Sequence, residues 1–538
     1  LDPANQAWEG LDPLVARELL AQSPSRIGPL SKLLAPRAES LMALVGALVN
    51  GPDVSPAELA AAFQGLAGVA GSDADRIVDM VLSARNPVPG PMVPALKADR
   101  VRSLAALERW RSKPMAPEAR AALHAMEIGL GDKEAVRNLE YQPDPTLRTE
   151  LVRILHTVIP DPVDLASLTL EHTDPGVVAG GVLALGEYDS ERLARRLGKW
   201  NAILLEMYQS HPDAGVHGAL EWLLRRRLGR ERELGDAMKS LAGKPRSAGQ
   251  TWEVSKDQAS WLVSPGPVRL DASRFVLPAN SAAPIANGAL PRASEVIIPR
   301  AFAIATQLVT QKEYRRFRPD LPPGNEADLP DAPVRGISFP EAMAYCRWLS
   351  AREGIPEDQM AVPAISEATD TMISMPELFL HKIGYRFPTD WECEYAWRGG
   401  TTSRWHWGEN GGHLGRYGVY PNDTRTPPRA VAIMRPNHFG MFDMAGANTW
   451  QWSLTTGGPR LVEARAEIRD DESWQFSGLS GGYATGDRLL MRGTSMLSFP
   501  DLSTSSYRGI ITPFRQSDQS KLYYGIRLAR TLPETKPH

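Results

Sequence analysis

Few side chains in this chain are suited to covalent chemistry. A cysteine thiolate is the strongest nucleophile and the softest metal ligand among the side chains, and there are two cysteines, Cys346 and Cys393. Cys346 shares an apolar face with Ala342, Tyr345 and Leu349 in the run FPEAMAYCRWLSAREG, a spacing that predicts core packing on a helix. Cys393 lies two residues from Trp391 inside a second helical run. His211, His217 and Glu221 form the nearest approach to a metal constellation. His217 and Glu221 stand at i, i+4, but no third histidine completes a site. The pattern predicts a helix capped at Asp213 that carries a polar pair. A serine triad lacks its G-x-S-x-G elbow, and DLSTSSY (residues 501–507) reads as a polar loop. The Gly-rich GLSGGYATG (residues 478–486) lacks the GK[ST] ending of a phosphate loop.

Elements of two kinds must position these residues. Up to about residue 245 the chain alternates short apolar-periodic runs with Pro, Gly and Asp breaks. LDPLVARELLAQ, ESLMALVGALVN, SPAELAAAFQGLAG, DADRIVDMVLSAR, DRVRSLAALERWRS, APEARAALHAMEIGLG and TLRTELVRILHTV all carry helical spacing. Ser55, Ser72, Asp99 and Thr146 are the expected caps. The pattern predicts an all-α, HEAT-like helical-repeat half over residues 1–245, with a non-repeating helical domain as the alternative. AGKPRSAGQ (residues 242–250) reads as a linker. From Thr251 the texture changes to aromatic, Gly and Pro residues with short strand-like runs: WEVSKD, SWLVSPGPVRL and EVIIPRAFAIA. The expected division is a linker with leading strands over 246–292, a second domain over 293–533 and a tail over 534–538. Within that domain, Thr389 and Glu392 spell a capping box, Asp390 favours the helix dipole, and Gly399-Gly400 ends the helix.

Size and charge narrow the function classes. At 538 residues, two or three domains are expected. A net charge of −3 gives no basic footprint for nucleic acid. No apolar run reaches the roughly 18 residues of a membrane helix, and two cysteines exclude a disulfide framework. A cytoplasmic location is slightly favoured, with an extracytoplasmic one expected if a leader or membrane segment has been removed.

Three phrases then occur in order: GYRFPTDWECEYAWRGG (residues 384–400), SRWHWGEN (403–410) and PNHFGMFDMAGANTWQW (436–452). With AFAIATQLVTQKEYRRF, VRGISFPEAMAYCRWLS, RGTSM and YYGIRLAR they resemble the motifs of the formylglycine-generating enzyme (sulfatase-modifying factor) family, over about Trp252 to Thr531. The resemblance implies an α+β, C-type-lectin-like domain with much irregular structure. The helical half, through LALGEY and HPDAGVHGALEWLLRR, resembles segments of large bacterial proteins that join a kinase to such a domain. No kinase signature is present here.

The resemblance also supplies a test. Family oxidases hold copper and engage a substrate cysteine through two cysteines in the segment before the last strand. Here MRGTSMLSFPDLSTSSYRGIITPFRQSDQSKLYYGIRLAR contains none, and Asp501 and Ser506 stand near the cysteine positions. A hydroxyl cannot replace a thiolate toward Cu(I), so no copper and no required cofactor are expected. The family's D-M-x-G-N-V-W-E-W is altered to DMAGANTWQW, with one inserted residue and Gln451 for Glu. Gly446 and Asn448 with Asn422 and Asp423 are candidates for a structural Ca²⁺. The superfamily's iron-dependent sulfoxide synthases need a three-His site on a helical partner, which this chain does not spell. Trp405, Trp407, Arg492, Tyr507, Arg508 and Arg515 fall in family loops and are candidates to line a groove for peptide or glycan. The expected function is a catalytically inactive relative that binds protein or peptide, as a scaffold in a kinase-linked or larger assembly. The alternative is an enzyme of the same superfamily working in the same cleft.

Overall fold

The computed structural model describes residues 73–271, 293–320, 329–365, 372–419, 429–445, 449–456, 465–470, 482–484, 489–494, 503–506, 508–511 and 524–533, with isolated residues near the N-terminus. The first three periodic runs lie almost wholly outside these residues. The chain divides into two compact units, residues 1–199 and 200–538. The division thus falls well before the change of composition at Thr251.

The first unit is helical over its described residues. Its helices are α1 (Ala74–Ser83), α2 (Val93–Lys97), α3 (Arg100–Arg111), α4 (Pro117–Gly129), α5 (Thr146–Val158), α6 (Pro162–Thr169), α7 (Pro175–Leu185) and α8 (Ser190–Arg196). Caps explain where they start. Asp99, Asp161, Asp174 and Asp189 each accept an N–H of their own first turn. Two expected caps move. Asp73, not Ser72, caps α1. Thr146 is the first residue of α5, with its N–H and hydroxyl bonded to Asp144 Oδ1 at 3.0 and 2.5 Å. Helix α4 packs on α5, and α7 on α5 and α6. Gly181 of α7 lets that helix close on Thr169, where any Cβ would collide.

The second unit opens with three more helices: α9 (Asn201–Ser210), α10 (Ala214–Trp222) and α11 (Glu231–Leu241). Between the last two, Leu223–Arg227 forms a single π-helical turn. These helices share a core with the strands that follow. His217 of α10 is stacked between Tyr208 and Trp252, with ring centroids 4.2 and 3.8 Å away. The indole Nε1 of Trp252 donates to the carbonyl of His211 at 2.7 Å. Buried aromatic contact outweighs local composition here, so the helices go with the strands.

The mixed region contains β1 (Trp252–Val254), β2 (Ser260–Ser264), β3 (Val268–Asp271), β4 (Ala293–Ile298), β5 (Phe302–Ala305), α12 (Gln311–Tyr314), α13 (Phe339–Arg352), β6 (Met372–Ser374), α14 (Asp390–Arg398), α15 (Leu414–Tyr417), β7 (Thr449–Thr456), β8 (Arg465–Arg469), β9 (Gly482–Ala484), β10 (Leu489–Thr494), β11 (Gly509–Ile511), β12 (Tyr524–Gly525) and β13 (Ala529–Thr531). The three runs read as strand-like supply β1 to β5. Among the described residues four small sheets form, with strand orders β1-β2-β5-β13, β11-β10-β7-β12, β3-β4-β8 and β6-β9. The pairing of β13 with β5 ties the end of the region to its beginning. Capping boxes start α12 at Thr310/Glu313, α13 at Ser338/Glu341 and α14 at Thr389/Glu392. Gly399 ends α14 at φ +59°, a left-handed position natural to glycine. Ala342, Tyr345, Cys346 and Leu349 of α13 are all buried in one apolar cluster, as their spacing predicts.

Candidate functional site

Helix α14 brings the functional side chains together. Asp390, Glu394 and Arg398 are spaced by four and share one face. They meet Arg492 from β10 and Arg508 from the segment before β11. Arg492 Nε bonds Asp390 Oδ1 at 2.5 Å, and its Nη2 lies 2.5 Å from Glu394 Oε2. Arg508 Nε bonds Asp390 Oδ2 at 2.8 Å, and the guanidinium sits over the Trp391 ring at 5.0 Å. Arg398 Nε bonds Glu394 Oε1 at 2.7 Å. All five ionic groups are buried. Burial alone would raise the Glu394 carboxyl, but Arg492, Arg398 and Arg508 outweigh it and hold the group down at about 2. A second cluster lies at the same helix end. Glu392 bonds Arg386 at 2.7 and 2.8 Å and Arg300 at 2.7 Å, and it is likewise held at about 2 against the effect of burial.

Ser506 belongs to the first cluster. Arg398 Nη2 donates to its hydroxyl at 2.5 Å, and Arg508 Nη1 donates to its carbonyl at 2.9 Å. A guanidinium only donates, so it cannot serve as base to that hydroxyl. At Ser506 the side chain present is a hydroxyl held by a cation, not a thiolate of the kind Cu(I) prefers. Both thiols are remote in kind as well. Cys346 and Cys393 are free and buried. Burial pushes the Cys393 thiol up to about 12 and lifts Cys346 far above its ordinary range. Among the described residues, no group of three His, Cys, Asp or Glu side chains could hold a metal ion.

The groove candidates need correction where they are described. Arg492 and Arg508 are fully buried and committed to carboxylates rather than facing a ligand. Trp405 and Trp407 are 4% and 1% exposed and stack at 5.7 Å, and Tyr417 stacks on Trp407 at 5.0 Å. A loop-rich domain has few aliphatic runs to fill its interior, so its large rings pack inside. Tyr507, Arg515 and Asp501 lie outside the described residues, as do the Ca²⁺ candidates Gly446, Asn448, Asn422 and Asp423. The His211/His217/Glu221 set does not converge. Nδ1 of His217 bonds the Tyr208 carbonyl at 2.8 Å, Glu221 bonds Arg225 and Gln307 at 2.8 and 2.6 Å, and His211 Nδ1 accepts from Asp213. Asp213 caps α10 as expected.

Three features were not foreseen. Arg527 is buried with Nε on Gln451 Oε1 at 2.7 Å and its other nitrogens on the carbonyls of Ala305 and Phe442. Burial lowers it to about 10. Asp443 sits close by at φ +60°, accepts from Ala432 N at 2.9 Å, and is raised by burial to about 6. Asn437 clamps the end of α14: its Nδ2 donates to the carbonyls of Ala396 and Trp397 at 2.7 and 2.8 Å. The altered Gln451 was the one visible signal for this region.

Comparison with known proteins agrees with this architecture. Residues 248–532 match the Sulfatase-modifying factor enzyme 1-like domain. A formylglycine-generating enzyme of Mycobacterium tuberculosis (strain ATCC 25618 / H37Rv) is 32% identical over 151 residues, 25% of this chain and 38% of that protein. A second, from Streptomyces coelicolor (strain ATCC BAA-471 / A3(2) / M145), is 26% identical over 223 residues, 39% of this chain and 56% of that protein. The chaperone protein LppX of Paenibacillus barcinonensis is 26% identical over 201 residues, 33% of this chain and 70% of that protein. The chain therefore spans well under two thirds of the two formylglycine-generating enzymes. By the match over residues 248–532, the chain belongs to the Sulfatase-modifying factor enzyme 1-like domain family.

Proposed function

We propose that this chain is a non-oxidase member of the family, in which the domain is retained as a protein- or peptide-binding module. The observation that carries the reading is the state of Ser506 and of the two thiols. The residue aligned near a family cysteine is a hydroxyl pinned by Arg398, while Cys346 and Cys393 are buried and held protonated. The family's copper chemistry needs accessible thiolates, and both thiols here are buried, with ionisation disfavoured by that burial. A relative named as a chaperone is consistent with a domain that handles other chains. On this reading the domain is a C-type-lectin-like variant, the helical half is a HEAT-like contact surface, and the whole serves as a scaffold in a kinase-linked or larger assembly. A structural Ca²⁺ held by Gly446 and Asn448 with Asn422 and Asp423 belongs to the same proposal.

Titration of the purified chain with Cu(I) against a competing chelator tests the reading. The expected result is no stoichiometric copper uptake by the folded chain. Uptake of one Cu(I) per chain, lost in a Cys346→Ser/Cys393→Ser double variant, would sink it.

A further inference from the structure

Within the second unit, the turn between α9 and α10 is sewn to β1 by hydrogen bonds from both sides. Trp252 Nε1 donates to the His211 carbonyl at 2.7 Å, and the Thr251 N–H to the Pro212 carbonyl at 2.9 Å. In return, the Ala214 N–H donates to the Thr251 hydroxyl at 2.9 Å. Two histidines sit in this joint, and their partners fix their protonation. A backbone N–H only donates, so His211 Nδ1, which takes the Asp213 N–H at 3.2 Å, must be bare. A carbonyl only accepts, so His217 Nδ1 carries the proton that it donates to the Tyr208 carbonyl at 2.8 Å. In the neutral ring its Nε2 is then bare and accepts from the Ser260 hydroxyl at 3.4 Å. The joint as built holds both rings neutral.

A charged ring is disfavoured at both places. On His211 a second ring proton would point at the Asp213 N–H. The Asp213 carboxylate favours the charge, but burial outweighs it and moves the ring below its ordinary value. On His217 the Ser260 hydroxyl could turn to accept, and the flanking rings of Tyr208 and Trp252 attract a cation. Full burial outweighs both and holds this ring down at about 3. The other carboxylates nearby are already engaged. Glu221, one turn along α10, is held by Arg225 and Gln307, and Glu253, next to Trp252 on β1, by Arg246 and Arg530. An opened joint returns both rings to water and to 6.5. The open joint thus binds protons that the closed one refuses, so closure is complete above pH 6.5 and weakens as pH falls toward 3.

We propose that this joint is an acid-sensitive latch: protonation of His211 and His217 releases α9 and α10 from β1 while the sheets behind it stay folded. Release can stay local because the apolar cluster around β5, β7 and β10 takes none of its buried residues from α9 or α10, among the described residues. The inference goes beyond the binding-module reading and does not depend on it.

The test is hydrogen exchange of the full chain, read by mass spectrometry at pH 7 and pH 5 and corrected for the intrinsic pH dependence of exchange. Protection over residues 204–222 and 251–254 is expected to fall by about tenfold or more, the linkage of a histidine that moves between about 3 and 6.5. Protection over 449–456 in β7 and 489–494 in β10 is expected to hold. His211→Asn keeps an acceptor for the Asp213 N–H, as in an Asx-turn, and gains no charge in acid. It should match the parent at pH 7 and lose less protection at pH 5. His217→Gln keeps a donor for the Tyr208 carbonyl but loses the ring stack. It should be less protected at pH 7 and respond less to acid; if it does not fold, His211→Asn decides alone. Equal protection of the joint at both pH values, a loss shared evenly with β7 and β10, or an acid response unchanged in His211→Asn would overturn the inference.

Discussion

At the scale of single residues, burial decides protonation. His217 and His406 are each pushed down to about 3 by burial. Their ordinary value is 6.5, so the unfolded chain binds protons that the folded chain refuses. Stability from these two groups is present above pH 6.5 and is lost as pH falls toward 3. The two differ in their partners. His217 is bonded to the Tyr208 carbonyl, whereas both ring nitrogens of His406 lack a partner between Trp407 and Tyr417. His406→Phe should therefore cost little at neutral pH and flatten the acid limb of urea-denaturation profiles. His217→Phe should cost about 1–3 kcal/mol, since it strands a buried carbonyl. Equal costs at neutral pH would contradict this. Asp443 has the opposite sign. Its carboxyl is raised from 3.8 to about 6, so the folded chain holds the proton more tightly and loses stability as pH rises through that window. Asp443→Asn keeps an acceptor for Ala432 and tolerates φ +60°. Between about pH 4 and pH 8 its stability should gain on the parent by about 3 kcal/mol, from 1.36 kcal/mol per pKa unit. Parallel pH profiles for the two chains would refute the assignment.

At the scale of elements, helix α14 organises the domain, and much of it was legible. Thr389, Glu392 and Gly399 are local signals, and each stands where the sequence places it. Cys346 likewise sits on the apolar face that its spacing describes. The roles of Arg492 and Arg508 were not legible. An arginine in sequence reads the same whether it faces solvent or a carboxylate 102 or 118 residues away. The π-helical turn was also hidden, because LLRRR continues the helical pattern around it. The buried cluster predicts a sharp contrast. Arg492→Met should cost about 3–5 kcal/mol, because it leaves Asp390 and Glu394 buried without one of their cations. Arg102→Met, at an exposed pair with Asp75, should cost about 0–1 kcal/mol. Comparable losses in denaturant unfolding would remove the cluster from its structural role. Gly218 makes a second contact between elements. A Cβ there would stand 2.6 Å from the Cα of Gly440. Gly218→Ala should therefore lower the melting temperature, although alanine favours a helix.

At the scale of the whole molecule, the sequence placed the change of texture at Thr251, but the compact unit begins at Trp200. Stacking of Trp252 on His217 draws the preceding helices into the domain, and no local pattern encodes a contact of that range. The loops that would carry oxidase chemistry fall partly outside the described residues, so the account rests on the thiols. Two buried, protonated cysteines should resist alkylation in the native chain and both react in urea. One fast-labelling native thiol would refute their burial. The most direct measurement is turnover. The full chain, preincubated with Cu(I), is given a cysteine-containing sulfatase peptide in air, and mass spectrometry follows the conversion of cysteine to formylglycine. The account predicts that the peptide remains unchanged. Formylglycine produced catalytically, and abolished by loss of Cys346 or Cys393, would contradict it.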